Sequence, residues 1–319
     1  MIRALALAAL AAACAGCSSP SAAPAPLTLE RTISLPGVAG RIDHLAIDLK
    51  RRRLFVAALG NGTVEGVDLA AGKVFARIEG LKEPQGVAYL PATDELAVAS
   101  GGDGKVRFYR AADLTLTGEL DAGDDADNLR VTDDGMLVVG SDSLRVIDPK
   151  TRAVVGAVPL PAHPEGFRLD GSRFFVNLPR AGLVAAGDLK TGVTSSWKAA
   201  HAMNFPMAYD ARTRRIAVVY RLPARLVLMD AQTGAVVSDR PTCGDSDDVF
   251  FDDKRSRIYV SCGGGSVDVF PIEGDRLARV DSRDGARTSL FAPELDRLLV
   301  AARAGANQNA AILVYRPEP

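Results

Sequence analysis

The chain has 319 residues, 47% of them hydrophobic and 24% charged, with 38 basic against 39 acidic side chains. That is the composition of a globular protein and excludes a collagen, a coiled coil or a disordered acidic chain. A formal net charge of −1 supplies no broad positive field for counterion release, so nucleic acid is not expected as a partner.

The first element in chain order is a targeting segment. Met1, Ile2 and Arg3 form a short positive start, and Ala4 to Ala13 is an apolar run too short to cross a bilayer as a helix. Residues 1–16 therefore read as a secretory signal. Ala15-Gly16-Cys17-Ser18-Ser19 resembles the lipobox of bacterial lipoproteins, with Cys14 where that pattern usually has leucine. The resemblance implies that Cys17 becomes the lipidated N-terminus. Ser18 after it implies sorting to the outer membrane, on its periplasmic face. Residues 17–26 carry three prolines and no apolar period, so they read as an extended tether of about 3 Å per residue.

From residue 27 to residue 319 the chain reads as one domain built on a repeat. A short apolar strand, a turn and a second strand recur seven times, aligned on Val56, Val98, Val138, Val176, Val218, Val260 and Val300. The spacings of 42, 40, 38, 42, 42 and 40 residues suit four-stranded propeller blades. The runs around those valines are β-branched and aromatic and four to six residues long, the length of buried strands. A third strand follows each one, and four of these end in Asp68, Asp148, Asp188 and Asp230. Three of the four continue into Ala71-Gly72, Thr191-Gly192 or Thr233-Gly234, the chemistry of a tight hairpin. The last unit stops after its third strand at Tyr315. Leu27 to Leu35 resembles the fourth strands of other units, so it is expected to complete the seventh blade and close the ring. The predicted fold class is all-β, a seven-bladed β-propeller.

The units Pro84-Gln-Gly-Val-Ala with Leu96-Ala-Val-Ala-Ser-Gly-Gly-Asp-Gly, and Asn204-Phe-Pro-Met-Ala with Leu226-Val-Leu-Met-Asp-Ala-Gln-Thr-Gly, resemble the YVTN-type seven-bladed β-propellers of bacterial secreted proteins. That resemblance covers about residues 27–316 and implies fold rather than activity. A WD-repeat reading fits less well, because the chain has one tryptophan, Trp197, and no recurring Gly-His or Trp-Asp pair.

In a propeller the first strand of each blade lines the central channel, so the residues just before it gather at one mouth. They are Asp43-His44, Gln85-Gly86, Asp127-Asn128, Glu165-Gly166, Asn204-Phe205, Asp247-Asp248 and Arg287-Thr288. The carboxylates outnumber the single arginine, so the mouth is expected to be acidic and to bind a small ligand or an envelope protein. A partial resemblance to gluconolactonase and regucalcin propellers implies a second reading. There a Glu, two Asn and an Asp at strand entrances hold one divalent ion for lactone hydrolysis. Asn128, Glu165, Asn204 and Asp248 are the matching residue types here, with His44 or Asp43 as the spare general base. No cofactor is assigned from the sequence; a divalent cation such as calcium is the one candidate.

Other constellations are thin. The histidines are His44, His163 and His201, without a Gly-x-Ser-x-Gly elbow. Gly101 to Gly104 and Gly263 to Gly265 lie between strands with no helix following, so they read as loops rather than phosphate cradles. Lys50 to Arg53 reads as a solvated turn. Cys243 and Cys262 fall in a compartment that permits disulfides and at the same end of the sixth blade, which makes a bridge geometrically reasonable. The chain is thus read as a monomeric, lipid-anchored envelope propeller with a binding or scaffold role, the alternative being a metal-dependent lactone or ester hydrolase.

Overall fold

Short β-branched strands separated by turn residues fold into seven antiparallel sheets of four strands each. The computed structural model describes residues 25–319; the signal segment and Cys17 lie outside the described residues. Blade 1 shows the plan: Leu45–Asp48 pairs with Arg53–Ala58, that with Thr63–Asp68, and that with Lys73–Ile78. No α-helix occurs among the described residues, only three single-turn 3₁₀ segments at Leu59–Asn61, Pro179–Ala181 and Pro293–Leu295.

Blade 7 is closed by the two ends of the described chain. Its inner three strands are Thr288–Ala292, Arg297–Ala302 and Ala310–Pro317, and Leu27–Leu35 adds the outermost strand, paired antiparallel from Leu27 opposite Pro317 to Leu35 opposite Ala310 with one register shift between Leu29 and Arg31. Leu27, Ile33 and Leu35 are buried in that position. Leu27 packs with Tyr259 and Tyr315 in the layer against blade 6, whereas Ile33 and Leu35 pack with Leu54 and Val56 in the layer against blade 1, a β-bulge between Leu29 and Arg31 exchanging the two faces and residues 28–32 staying exposed.

The core consists of layers between neighbouring blades, and all seven repeat valines are fully buried in it. Six of them face the preceding blade; Val56, for example, packs with Leu299 and Ala301 of blade 7. The third does not. Val138 packs forward against Phe167 and Val176, and Val139 takes the equivalent slot opposite Leu129. The alignment of the third unit is therefore corrected by one residue. The consecutive valines of Leu137-Val138-Val139-Gly140 offer the same side chain to both faces, and a slip of one residue exchanges them.

The turns between third and fourth strands follow the sequence reading. Asp68 accepts from the Ala71 N–H, Asp148 from Lys150, Asp188 from Lys190, and Asp230 from Gln232 and Thr233. Gly72, Gly192 and Gly234 take the left-handed conformation four residues after the Asp, and in blade 3 Arg152 takes it instead.

Candidate functional site at the channel mouth

Counting back two residues from the first core residue of each blade gives Asp43, Gln85, Asp127, Glu165, Phe205, Asp247 and Arg287. All seven line one cavity of about 220 Å³. Of the ten residues placed there from sequence, nine reach it: Asp43, His44, Gln85, Asp127, Asn128, Glu165, Asp247, Asp248 and Arg287. Asn204 does not. Blade 5 pairs as blade 2 does, Asn204 and Met207 matching Pro84 and Val87, so Asn204 lies one residue before the ring position and Phe205 is the equivalent of Gln85. Asn204 is buried behind it, its Nδ2 donating to Asn177 Oδ1 at 3.2 Å and to the Leu183 carbonyl at 2.9 Å.

The ring is tight because backbone meets backbone around it. The Gly166 N–H donates to the Phe205 carbonyl and the His44 N–H to the Gln85 carbonyl, each linking adjacent blades. A Cβ on Gly86 would stand 2.0 Å from the Asp127 carbonyl oxygen, and one on Gly166 2.5 Å from that of Phe205. Only glycine allows those approaches.

One wall of the cavity is paired charge. Arg41 contacts Asp43 at 2.5 Å, and Asp247 is gripped by both Arg221 and Arg287. Arg287 also reaches Asp245 at 2.8 Å, and Arg221 lies over the Phe205 ring at 4.1 Å. Burial pushes Asp247 up to about 6, opposed by its two arginines, so it is ionised at neutral pH.

The facing wall is short of partners. Asp127 Oδ1 makes no hydrogen bond among the described residues, and His44 Nε2 stands 3.7 Å away. Desolvation, then the Asp43 and Glu165 charges, raise Asp127 well above the usual carboxylate range. Desolvation followed by the Asp247 charge pushes Glu165 up to about 7. Burial lowers His44 to about 4, so it is neutral at pH 7. His163 stands 3.8 Å from Asp125 on the same wall, lowered by burial against the pull of that carboxylate.

At the base, Asp248 accepts from the Ser289 N–H at 2.8 Å and is pushed by burial up to about 8. Beside it stand Arg130 and Arg168, both half-buried and lowered by desolvation, Arg168 to about 9.

The mouth is thus mixed in charge rather than acidic. Six carboxylates, Asp43, Asp125, Asp127, Glu165, Asp247 and Asp248, face five guanidiniums, Arg41, Arg130, Arg168, Arg221 and Arg287. Four of those arginines lie outside the strand-entrance positions, which is why the sequence reading missed them. The implied metal set does not converge either. Asn204 is turned away, and Asn128 Oδ1 accepts from Arg130 Nη2 at 3.2 Å. Among the described residues no group of three or more His, Cys, Asp and Glu side chains is placed to hold a metal ion.

The sixth blade braces this mouth. Cys243 and Cys262 form a disulfide with Cα atoms 5.8 Å apart, and the Cys243 N–H donates to Asp268 Oδ2 at 2.9 Å.

No protein-family model matches the chain, and no curated protein matches it. Among solved structures it is similar to a chain of the Kuenenia stuttgartiensis hydrazine synthase, with a TM-score of 0.75 and 16% identity, covering 88% of this chain and 98% of that one. At that identity the likeness is one of fold alone.

Proposed function

We propose that this chain is a YVTN-type propeller of the cell envelope, held at the periplasmic face of the outer membrane by a lipidated Cys17, that binds a small charged ligand at its channel mouth. One observation carries the binding reading: all seven blades send a side chain into one cavity whose charges of both signs exceed their own pairing. Its volume of about 220 Å³ lies below the range of roughly 300–1,000 Å³ usual for drug-sized ligands, which favours a small metabolite. Among the described residues the wall holds no serine, threonine, cysteine or lysine, so they supply no nucleophile of those types for covalent catalysis. Binding is the function this geometry supports best.

Thermal unfolding of the purified protein against a panel of small anions, cations and zwitterions tests the reading. At least one class should raise the melting temperature, and Glu165→Gln or Asp127→Asn should change that response. A panel that shifts nothing overturns the function. Anchoring is tested separately: Cys17→Ala should move the protein from the membrane to the soluble envelope fraction, and a variant that stays membrane-bound overturns that part.

A further inference from the structure

Arg130 and Arg168 occupy the same position in adjacent blades. Each follows the first core residue of its inner strand, Leu129 opposite Val139 in blade 3 and Phe167 opposite Val176 in blade 4. The other five blades place Ala46, Ala88, Ala208, Phe250 and Leu290 there. The two arginines are also built alike. Arg130 Nη1 donates to the Leu129 carbonyl at 2.6 Å and Arg168 Nη1 to the Phe167 carbonyl at 2.9 Å. Arg130 is further held by Asn128 Oδ1 and by the Phe167 ring, 5.3 Å from its guanidinium.

What sets them apart is charge. The other arginines of the cavity wall, Arg41, Arg221 and Arg287, each contact a carboxylate. Arg130 and Arg168 make no ion pair among the described residues, and their hydrogen bonds use few of the five N–H donors that each guanidinium carries. With His44 and Asp248 they line both the polar cavity and a second cavity of about 340 Å³, whose walls are largely apolar. The four side chains therefore form the neck between the two spaces. Two neighbouring guanidiniums that share one nearby carboxyl, Asp248, and make no ion-pair contact with it repel one another and are costly to desolvate. A planar or tetrahedral oxyanion matches their forked donors and offsets both costs.

We propose that Arg130 and Arg168 form an oxyanion-binding site at the neck of the channel, which takes the carboxylate or phosphate group of a small ligand entering from the polar mouth. This rests on the small-ligand reading of the channel and names the ligand's class.

The test uses the full chain in detergent micelles at fixed ionic strength. Acetate, succinate and inorganic phosphate are compared with chloride, tetramethylammonium and glycine betaine by thermal unfolding and calorimetry. A carboxylate or phosphate should raise the melting temperature, and whichever gives the larger shift identifies the group. The Arg130→Gln/Arg168→Gln double variant should bind that anion about tenfold more weakly or worse. If that variant misfolds, Arg168→Lys keeps the charge and loses the fork, and should weaken binding in the same direction. Arg168→Met without anion should melt no lower than wild type, because it removes a desolvated charge that makes no ion-pair contact. Undiminished anion binding in these variants overturns the neck site, as does a channel that answers only to cationic or zwitterionic probes independently of both arginines; that last result leaves the mouth reading standing. No response to any probe overturns the two together.

Discussion

Arg297 grips Glu30 with both prongs of its guanidinium, Nε to Oε2 at 2.5 Å and Nη2 to Oε1 at 2.9 Å, and so ties the closing strand to blade 7 across 267 residues of chain. Both side chains are partly exposed, and pairs of that kind contribute about 0–1 kcal/mol. The closure is held instead by buried apolar side chains on both faces of the same strand, Leu27 in the layer shared with blade 6 and Ile33 and Leu35 in the layer shared with blade 1. Leu35→Ala should therefore cost about 2–5 kcal/mol in chemical denaturation, and Glu30→Ala less than about 1. Deleting residues 27–35 would bare a strand edge and should cause aggregation or a large fall in melting temperature. Equal costs for the two point variants would show that the closure is not hydrophobic.

Gly166 is the second sensitive point. Its absent Cβ leaves room for the Phe205 carbonyl, and that contact is backbone on both sides, so no rotamer change can relieve an added methyl. Gly166→Ala should lose about 1–3 kcal/mol and disturb the inter-blade hydrogen bond at the mouth. Gly244, with open space where its Cβ would stand, is the control, and Gly244→Ala should fall within about ±0.5 kcal/mol. Two equally mild variants would remove the case for a tight ring.

Titration of the channel gives a third expectation. Glu165 and Asp248 are raised to about 7 and about 8, far above their unfolded values near 4. A carboxyl raised in the folded state contributes stability that is complete below about pH 4 and is lost as pH rises through its folded value. His44, lowered to about 4, acts in the opposite sense, losing its contribution as pH falls from 6.5 toward 4, so it is silent above 6.5. Between pH 6.5 and 8.5 the ligand-free protein should accordingly melt at falling temperature. Glu165→Gln and Asp248→Asn should each flatten the fall, and a flat or rising wild-type profile would contradict these shifts.

Much of this architecture was legible in the sequence because it repeats. The valine spacing, the Asp turns and the unpaired strand Leu27–Leu35 each follow from local periodicity, and the blades obey it. The third blade escaped because Val138 and Val139 are identical in side chain, so only packing decides between them. At the mouth, strand entrances were readable, and even the fifth carried a signal that was misread by one residue: Phe205, not Asn204, stands thirteen residues before its repeat valine, as Asp43 and Gln85 do. Arg41, Asp125, His163 and Arg221 reach the cavity from loops or second strands, which strand-entrance counting does not sample. Arg130 and Arg168 did leave one: an arginine beside the core residue of a short inner strand, as in Leu129-Arg130-Val131, is out of place unless it faces the channel.

The disulfide gives the last prediction. Ser246 pairs with Cys262 at the entrance of blade 6, and Cys243 folds back over that end across a separation of 19 residues. Closing a loop of that size is worth about 3 kcal/mol by chain entropy, and in a domain this large each kcal/mol moves the melting temperature by about 2 °C. Cys243→Ser/Cys262→Ser should therefore melt about 6 °C lower than oxidised wild type. Both sulfurs are buried, so reductant should act on the native protein slowly and fully only after unfolding. A second effect is local. Asp245 lies two residues from the bridge, accepts from the Gly263 N–H through its carbonyl and pairs with Arg287, so the bridge stiffens the paired wall of the mouth. Hydrogen exchange at Asp245 to Asp248 should rise in the double variant, while exchange in blades 2 and 3 stays unchanged. Alkylation of unreduced, denatured protein decides the premise: two modified thiols at Cys243 and Cys262 would show that the bridge does not form.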